Sequence, residues 1–421
     1  MIETFPNTLT LAARLRERIR KEGPIPFYDW MKAALYDPED GYYCRVERNR
    51  WGREGDYRTS PERSSMFAAT LARYFTRLYE ELGRPEQWTI VEVGAGDGHF
   101  ASGVLQTLQA SFPAVFKATS YVIDEVSSHS RALARRRLAQ FANRVEFKSL
   151  DDVKLDAGVV FSNELFDAFP VHRVIWQETR LQEFYVQVGG NGNFEWLLGA
   201  PSARSSPRLI KYFEDSGLQL GEGQVAEVSL EIEEWLDKVA DKIHDGYLVT
   251  VDYGAAAEDL YSSIERRRGT LRGFYRHEFT DDLLARPGEQ DLTTTVNWSF
   301  VKSAGARLGF EVVEFQRQDR FLLAAGLLEQ LEIESRHCKS EADRLRLSTA
   351  AREMILPGGM ASHFQVLVQK KTDHGNRHRS PTSGRAPGNN PGVALTVARA
   401  LPGGRASARG ACSESDRETE Y

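Results

Sequence analysis

The stretch Thr89 to Phe100, TIVEVGAGDGHF, constrains this chain more than any other. The apolar, β-branched residues Ile90, Val91 and Val93 surround a single acid, Glu92, and lead straight into Gly94, Gly96 and Gly98, after which a helical pattern begins. That order predicts a strand, a tight turn and a helix start. Alternating glycines remove Cβ atoms where a ligand would lie against the backbone, and the new helix N-terminus offers unpaired N–H groups beside it. The turn is therefore the expected site of a nucleotide-type cofactor, with a turn made only for chain reversal as the plain structural alternative.

Details of the turn select the cofactor. A dinucleotide fingerprint would place its third glycine where His99 stands, and it serves a pyrophosphate. Here a carboxylate precedes the turn, which would repel a pyrophosphate and hold an ammonium group. S-adenosylmethionine carries an α-amino group and no phosphate, so Glu92, Gly94, Gly96 and Gly98 are its expected binding residues. A nicotinamide oxidoreductase is the competing class, opposed by His99.

The next strand, Tyr121 to Ile123, ends in Asp124 and Glu125, where a Rossmann-like sheet places the acid that binds a ribose diol. Either acid suits that role and Glu125 is the first choice; capping the helix that follows is the structural alternative. Gly158 to Ser162 reads as a buried strand that empties into Asn163-Glu164-Leu-Phe-Asp167-Ala-Phe-Pro170. Parallel sheets bind ligands beyond the carboxyl ends of their strands, so this cluster should face the same crevice. A helical turn opened by Asn163 would put Glu164 and Asp167 on one side at i, i+3. Two carboxylates there need a cationic partner. Glu164, Asp167 and Asn163 are therefore candidate catalytic residues. His277 is a weaker candidate base.

Earlier in the chain, Gly55 to Glu62 (GDYRTSPE) precedes a helical run from Met66 to Leu82. Helix capping explains part of it; Gly55, Asp56 and Thr59 are also candidates for a cofactor-facing loop. Val171 to Leu198 alternates apolar and polar residues around Gly189 to Gly192, which predicts an inserted hairpin acting as a lid. Gly269 to Trp298 reads as a long functional loop. Phe310 to Phe315 and His363 to Lys370 form a closing antiparallel pair with a helix between Gln330 and Met354.

Bulk properties exclude several classes. With 54 Lys and Arg against 60 Asp and Glu, the net charge of −6 lacks the basic excess that nucleic-acid binding needs. No apolar run approaches the roughly 18 residues of a membrane span. Cys44, Cys338 and Cys412 lie too far apart in sequence to suggest a zinc site or a disulfide framework. No metal is expected, and a bacterial cytoplasm is the expected setting. From Lys371 onward Ser, Gly, Pro, Arg and Asn dominate, so 371–421 is expected to be a disordered tail.

Several motifs together carry a family resemblance. GDYRTSPE, VEVGAGDGHF, NELFDAFPV from Asn163, VDYG from Val251, GTLRGFYRH from Gly269 and PGEQDLTTTVNW from Pro287 occur in an order similar to the MidA-type S-adenosylmethionine-dependent methyltransferases. The resemblance spans about Leu9 to Lys370. It implies an α/β class I methyltransferase fold, with residues 1–88 as a helical region and 89–370 as a Rossmann-like core bearing insertions at 171–244 and 253–300. For mitochondrial members it implies dimethylation of an arginine on a respiratory complex I subunit, and hence a protein substrate whose guanidinium Glu164 and Asp167 are expected to hold as proton acceptors, with Asn163 orienting substrate or cofactor. Three positions depart from the family pattern: Thr295 stands for a histidine, Asn297 for an aspartate, and Ser128 for a proline. Those departures admit a second reading, a catalytically silent S-adenosylmethionine-binding assembly factor.

Overall fold

The structure, a computed structural model, describes residues 9–45, 65–262, 264–276, 278–356 and 363–372. Its centre is an eight-stranded sheet. Strands β2 (Trp88–Val93), β3 (Thr119–Asp124), β4 (Val145–Phe147), β5 (Leu155–Asn163) and β10 (Ile243–Ala255) run parallel. Strand β16 (Phe364–Thr372) pairs antiparallel with β10 on one side and with β15 (Glu311–Arg317) on the other. The order is β15-β16-β10-β5-β2-β3-β4, and the short β14 (Val296–Asn297) joins β10.

The buried runs that read as strands are apolar on both faces because both faces are covered. Along β5, Val159 and Phe161 join one core and Val160 the other; along β10, Tyr247 and Val249 oppose Leu248 in the same way. Helices Ser65–Glu81 and His99–Ser111 supply Phe75 and Phe100 to the first core, where Phe161 stacks on Phe100 at 4.3 Å and meets Phe75 edge-on at 5.8 Å. Helices Glu231–Lys242 and Trp298–Arg307 close the other face with Leu236 and Val301. Each large side chain so buried contributes roughly 1.5–3 kcal/mol.

Close approach of the central strands requires Gly158. A Cβ there would lie 2.2 Å from the Thr89 carbonyl oxygen, so only glycine lets β5 pair with β2 at this register.

A second sheet joins β1 (Ile25–Pro26), β6 (His172–Gln177), β7 (Arg180–Val188), β8 (Phe194–Gly199) and β9 (Val225–Val228). The expected hairpin over Gly189 to Gly192 is present between β7 and β8, but it is one turn of a meander. The second tight turn, at Glu178 and Thr179, has positive φ at both residues without glycine. This sheet packs on helices Leu11–Glu22 and Phe27–Tyr36 around Trp30 and Val186. The expected functional loop at Gly269 to Trp298 contains a third sheet, with β11 (Arg272–Tyr275) between β12 (Glu278–Thr280) and β13 (Asp291–Thr293). Where one helix was expected before the last strand, there are three among the described residues: Gln318–Ala324, Leu327–His337 and Glu341–Glu353. Residues 373–421, and with them nearly all of the expected tail, lie outside the described residues.

Candidate active site

The chain runs outward from β2 through β3 to β4 and returns to the other side of β2 as β5, so the order reverses between β2 and β5. Adjacent loops diverge at such a point and leave a crevice at the carboxyl strand ends. A cavity of about 640 Å³ lies there, and it receives both the glycine turn and the Asn163 cluster.

The first half of the cavity is the glycine turn. Gly94, Gly96 and Gly98 have φ of 73°, 56° and 81°, the left-handed region that side-chain-bearing residues avoid. A Cβ on Gly94 would meet Leu165 at 3.3 Å, and one on Gly98 would press on Ala134 at 3.0 Å. Gly98 opens helix His99–Ser111. Behind the turn Glu92 is buried and accepts from the Tyr121 hydroxyl at 2.7 Å. Burial pushes its carboxyl up to about 8, and the nearby Glu125 and Asp97 add to the rise. A neutral buried acid lining a cavity is a place that a ligand ammonium would ionise and occupy.

The two acids after β3 separate. Asp124 accepts from the Leu150 N–H at 2.8 Å and does not line the cavity. Glu125 does line it, and its carboxylate accepts from the N–H groups of Gly96 and Ser127, both at 2.8 Å. Ser127 caps the following helix, and Ser128 stands at its first position, where proline is merely the preorganised choice. The departure at Ser128 is thus a matter of helix initiation.

In the second half, the expected helical turn after Asn163 is absent. Glu164 has φ of +52°, at a backbone expense of about 1–3 kcal/mol. Its N–H donates to the Val251 carbonyl at 2.9 Å, and the residues that follow are held by Asp252, near the end of β10: fully buried, it accepts from Phe166 N at 2.9 Å, Asp167 N at 3.3 Å and Tyr253 N at 2.9 Å. Glu164 and Asp167 nonetheless both line the cavity, as does Asn163, whose amide donates to Glu164 Oε1 at 3.0 Å. Burial holds the carboxyls of Asp167 and Asp252 above the ordinary carboxylate range; the Tyr253 hydroxyl beside Asp167 offsets part of that rise. Asp167 Oδ1 and Asn163 Oδ1 are buried acceptors with no hydrogen-bond partner among the described residues. Such atoms call for a donor-rich ligand.

Asp252, Tyr253, Asp291 and Tyr43 were not among the site residues drawn from the sequence. Asp291 is buried on β13, lines the cavity and accepts from the Tyr43 hydroxyl at 2.7 Å. The acid closing β10 was a readable signal; nothing in the sequence marks Tyr43. The expected lid is a further correction, since no residue from 171 to 199 lines the cavity, and β11 to β13 supply Arg272, Phe274, Phe279, Asp291 and Thr293 instead. The inserted strands are occupied with the N-terminal helices. Of the family departures, Thr295 lines the cavity. Asn297 does not: its Oδ1 caps helix Trp298–Arg307 by accepting from Phe300 N at 3.2 Å, and its amide donates to Tyr212 at 2.8 Å. Gly55, Asp56, Thr59 and His277 lie outside the described residues. Among the described residues no cluster of His, Cys, Asp and Glu is placed to hold a metal, and no helix is long and apolar enough to cross a membrane.

Residues 70–316 match the sequence profile of a family of S-adenosyl-L-methionine-dependent methyltransferases. The chain belongs to this family. A crystal structure of a COG1565 superfamily member from Burkholderia thailandensis, bound to S-adenosyl-homocysteine, is similar to it with 30% identity and a TM-score of 0.75 over 86% of this chain and 92% of the other. Curated relatives include a protein arginine methyltransferase NDUFAF7 homolog of Drosophila melanogaster, mitochondrial, 26% identical over 84% of this chain and 86% of its own. The mitochondrial protein arginine methyltransferase NDUFAF7 of Mus musculus is 25% identical over 89% and 88%. This methyltransferase therefore has the α/β fold of its family and S-adenosylmethionine as its donor.

Proposed function

We propose that the methyltransferase modifies an arginine side chain of a partner protein, and that Glu164 and Asp167 grip the guanidinium. The observation that carries this reading is the pair of unpartnered buried acceptors, Asp167 Oδ1 and Asn163 Oδ1, in the same cavity as the glycine turn. A guanidinium has five N–H donors in a planar fork and no acceptor, so it satisfies them and neutralises the carboxylates at once. The names of the curated relatives support the same acceptor. A respiratory complex I subunit is the partner that the resemblance to the MidA-type methyltransferases implies, and a bacterial cytoplasm is the setting proposed with it.

Bound S-adenosylmethionine supplies an electrophilic methyl group on a sulfonium. Glu92 would hold its ammonium, Gly94 to Gly98 would lie against it and Glu125 would accept from its ribose. On the acceptor side the work is alignment, exclusion of water and removal of one proton. Glu164 and Asp167 would hold the guanidinium with one nitrogen turned toward the donor, and a carboxylate would take the proton it releases. Asp252 would position Asp167 through the backbone N–H groups of Phe166 and Asp167, and the Val251 carbonyl would position Glu164 through its N–H.

Radiolabelled donor incubated with extract from a strain lacking the gene would supply an unmethylated acceptor. Label on a protein arginine is the expected result, and label on lysine, nucleic acid or a small molecule would overturn the assignment. Thr295 on the cavity wall favours one rival, the silent assembly factor; no transfer with any extract despite tight donor binding would select it.

A further inference from the structure

The cavity wall is not acidic throughout. Arg266 and Arg272 also line it. Among the described residues neither forms an ion pair, although the same walls carry Glu92, Asp97, Glu125, Glu164, Asp167 and Asp291; Arg266 donates to the Asp259 carbonyl at 3.3 Å. A cation in a cavity wall without a carboxylate partner is placed to meet an anion that arrives with a ligand.

The register of the small sheet shows where Arg272 stands. Phe279 on β12 is paired with Phe274 on β11, and Phe274 with Asp291 on β13, so the three side chains form a row across one face. Exposure falls along that row from 71% at Phe279 to 3% at Asp291, which marks a path from solvent to the acids. The two phenylalanine rings lie 4.4 Å apart, an apolar rim for a peptide to cross. Arg272 is two residues before Phe274 on the same strand and so shares its face, while Gly273 and Leu292 face the other way, Leu292 into the core of the N-terminal helices. The i to i+2 spacing of a strand is about 7 Å. An extended acceptor whose arginine descends at Asp291 would bring a side chain one or two positions away to Arg272.

We propose that Arg272, assisted by Arg266, reads an acidic side chain within two residues of the methylated arginine, so that the acceptor is a protein segment in which an arginine neighbours Asp or Glu. This rests on the arginine reading above and narrows it. Interior acids alone would select any accessible arginine; the rim arginine adds the discrimination, since a segment with Lys in that place would meet like charge.

Glycine-serine peptides with one arginine, and with Glu, Gln or Lys at each position from −3 to +3, provide the test. Binding is read by fluorescence anisotropy with S-adenosyl-homocysteine present, and transfer is read separately. The protein should bind the best Glu peptide about 10-fold more tightly than its Gln counterpart, the worth of a charge-assisted hydrogen bond. Arg272→Gln should abolish that preference without weakening the Gln peptide, and Arg272→Glu should shift preference to Lys. Equal binding of Glu and Gln peptides by the unmodified protein overturns the proposal even if a variant fails to fold. A variant that weakens S-adenosyl-homocysteine and treats all peptides alike also overturns it, assigning Arg272 to the donor's carboxylate. An acid preference without methylation of the arginine would sustain the inference while removing the arginine chemistry.

Discussion

At the scale of single residues, the cavity holds carboxyl groups in two conditions. Glu92 is pushed up to about 8 by burial, so below that pH it is neutral and an ammonium ligand must displace its proton. Donor affinity should therefore rise as pH increases toward about 8, with proton release visible in calorimetry in buffers of different ionisation enthalpy, and fall again above it as the ligand's own α-ammonium loses its proton at about 8. Glu92→Gln should bind more weakly and lose that dependence. The linkage for the free protein has the opposite sign. Because the folded carboxyl binds its proton more tightly than the unfolded one, stability from this group is complete below the ordinary glutamate range and declines as pH rises to about 8. Glu164→Gln and Asp167→Asn keep the shape of each side chain while removing a proton acceptor. Each should leave donor affinity intact and reduce methyl transfer by about 10²-fold or more; unchanged transfer in both would remove the carboxylates from the chemistry.

Among the elements, the two departures in the Asp291 to Trp298 motif have different weights. Asn297 is the cap of helix Trp298–Arg307, and Asp caps as well as Asn. Asn297→Asp keeps the cap and lets the Tyr212 hydroxyl turn to donate to the new carboxylate, so melting temperature and transfer should change little, whereas Asn297→Ala loses both the cap and the Tyr212 bond and should remove about 2 kcal/mol in denaturant titration. Thr295→His acts on the cavity wall and should alter acceptor KM instead. The strand pair β2 and β5 depends on Gly158, where a Cβ would meet backbone and not a yielding side chain. Gly158→Ala should destabilise the core by about 2 kcal/mol or more, in line with overpacked sites. An unchanged melting temperature would mean that the strands separate more readily than their register suggests.

For the molecule as a whole, cavity and donor are coupled through folding. A ligand bound only by the folded chain stabilises it by about 2.7 kcal/mol at one hundred times its dissociation constant. S-adenosylmethionine should therefore raise the melting temperature of the free protein at pH 8, and the increase should shrink in Glu92→Gln. A chain ending at Thr372, the last residue of β16, should melt at the same temperature and bind the donor equally, because the composition that follows offers little apolar area to bury. A clear fall in either measurement would show that 373–421 packs on the rest.

What the sequence determined by itself was whatever rests on local chemistry. A β-branched run broken by Gly94, Gly96 and Gly98 leaves few alternatives to a strand, a turn and a helix, and the acid within that run selects among cofactors through its charge. The strand that empties into Asn163 to Pro170 was equally readable, and so was the side of the sheet on which it opens. Tertiary structure decided what depends on distant partners. Whether Asn163 opens a helical turn was settled by β10, whose Val251 carbonyl accepts from the Glu164 N–H and whose Asp252 carboxylate, 88 positions after Glu164, accepts from the backbone N–H groups of Phe166 and Asp167. The alternation of Val171 to Leu198 revealed strands but not what they cover, because a face that packs on Trp30 and one that closes a cavity have the same pattern. Tyr43 joins Asp291 across 248 positions. A hydroxyl's role of that kind comes only from the fold, which brings together groups that the sequence keeps apart.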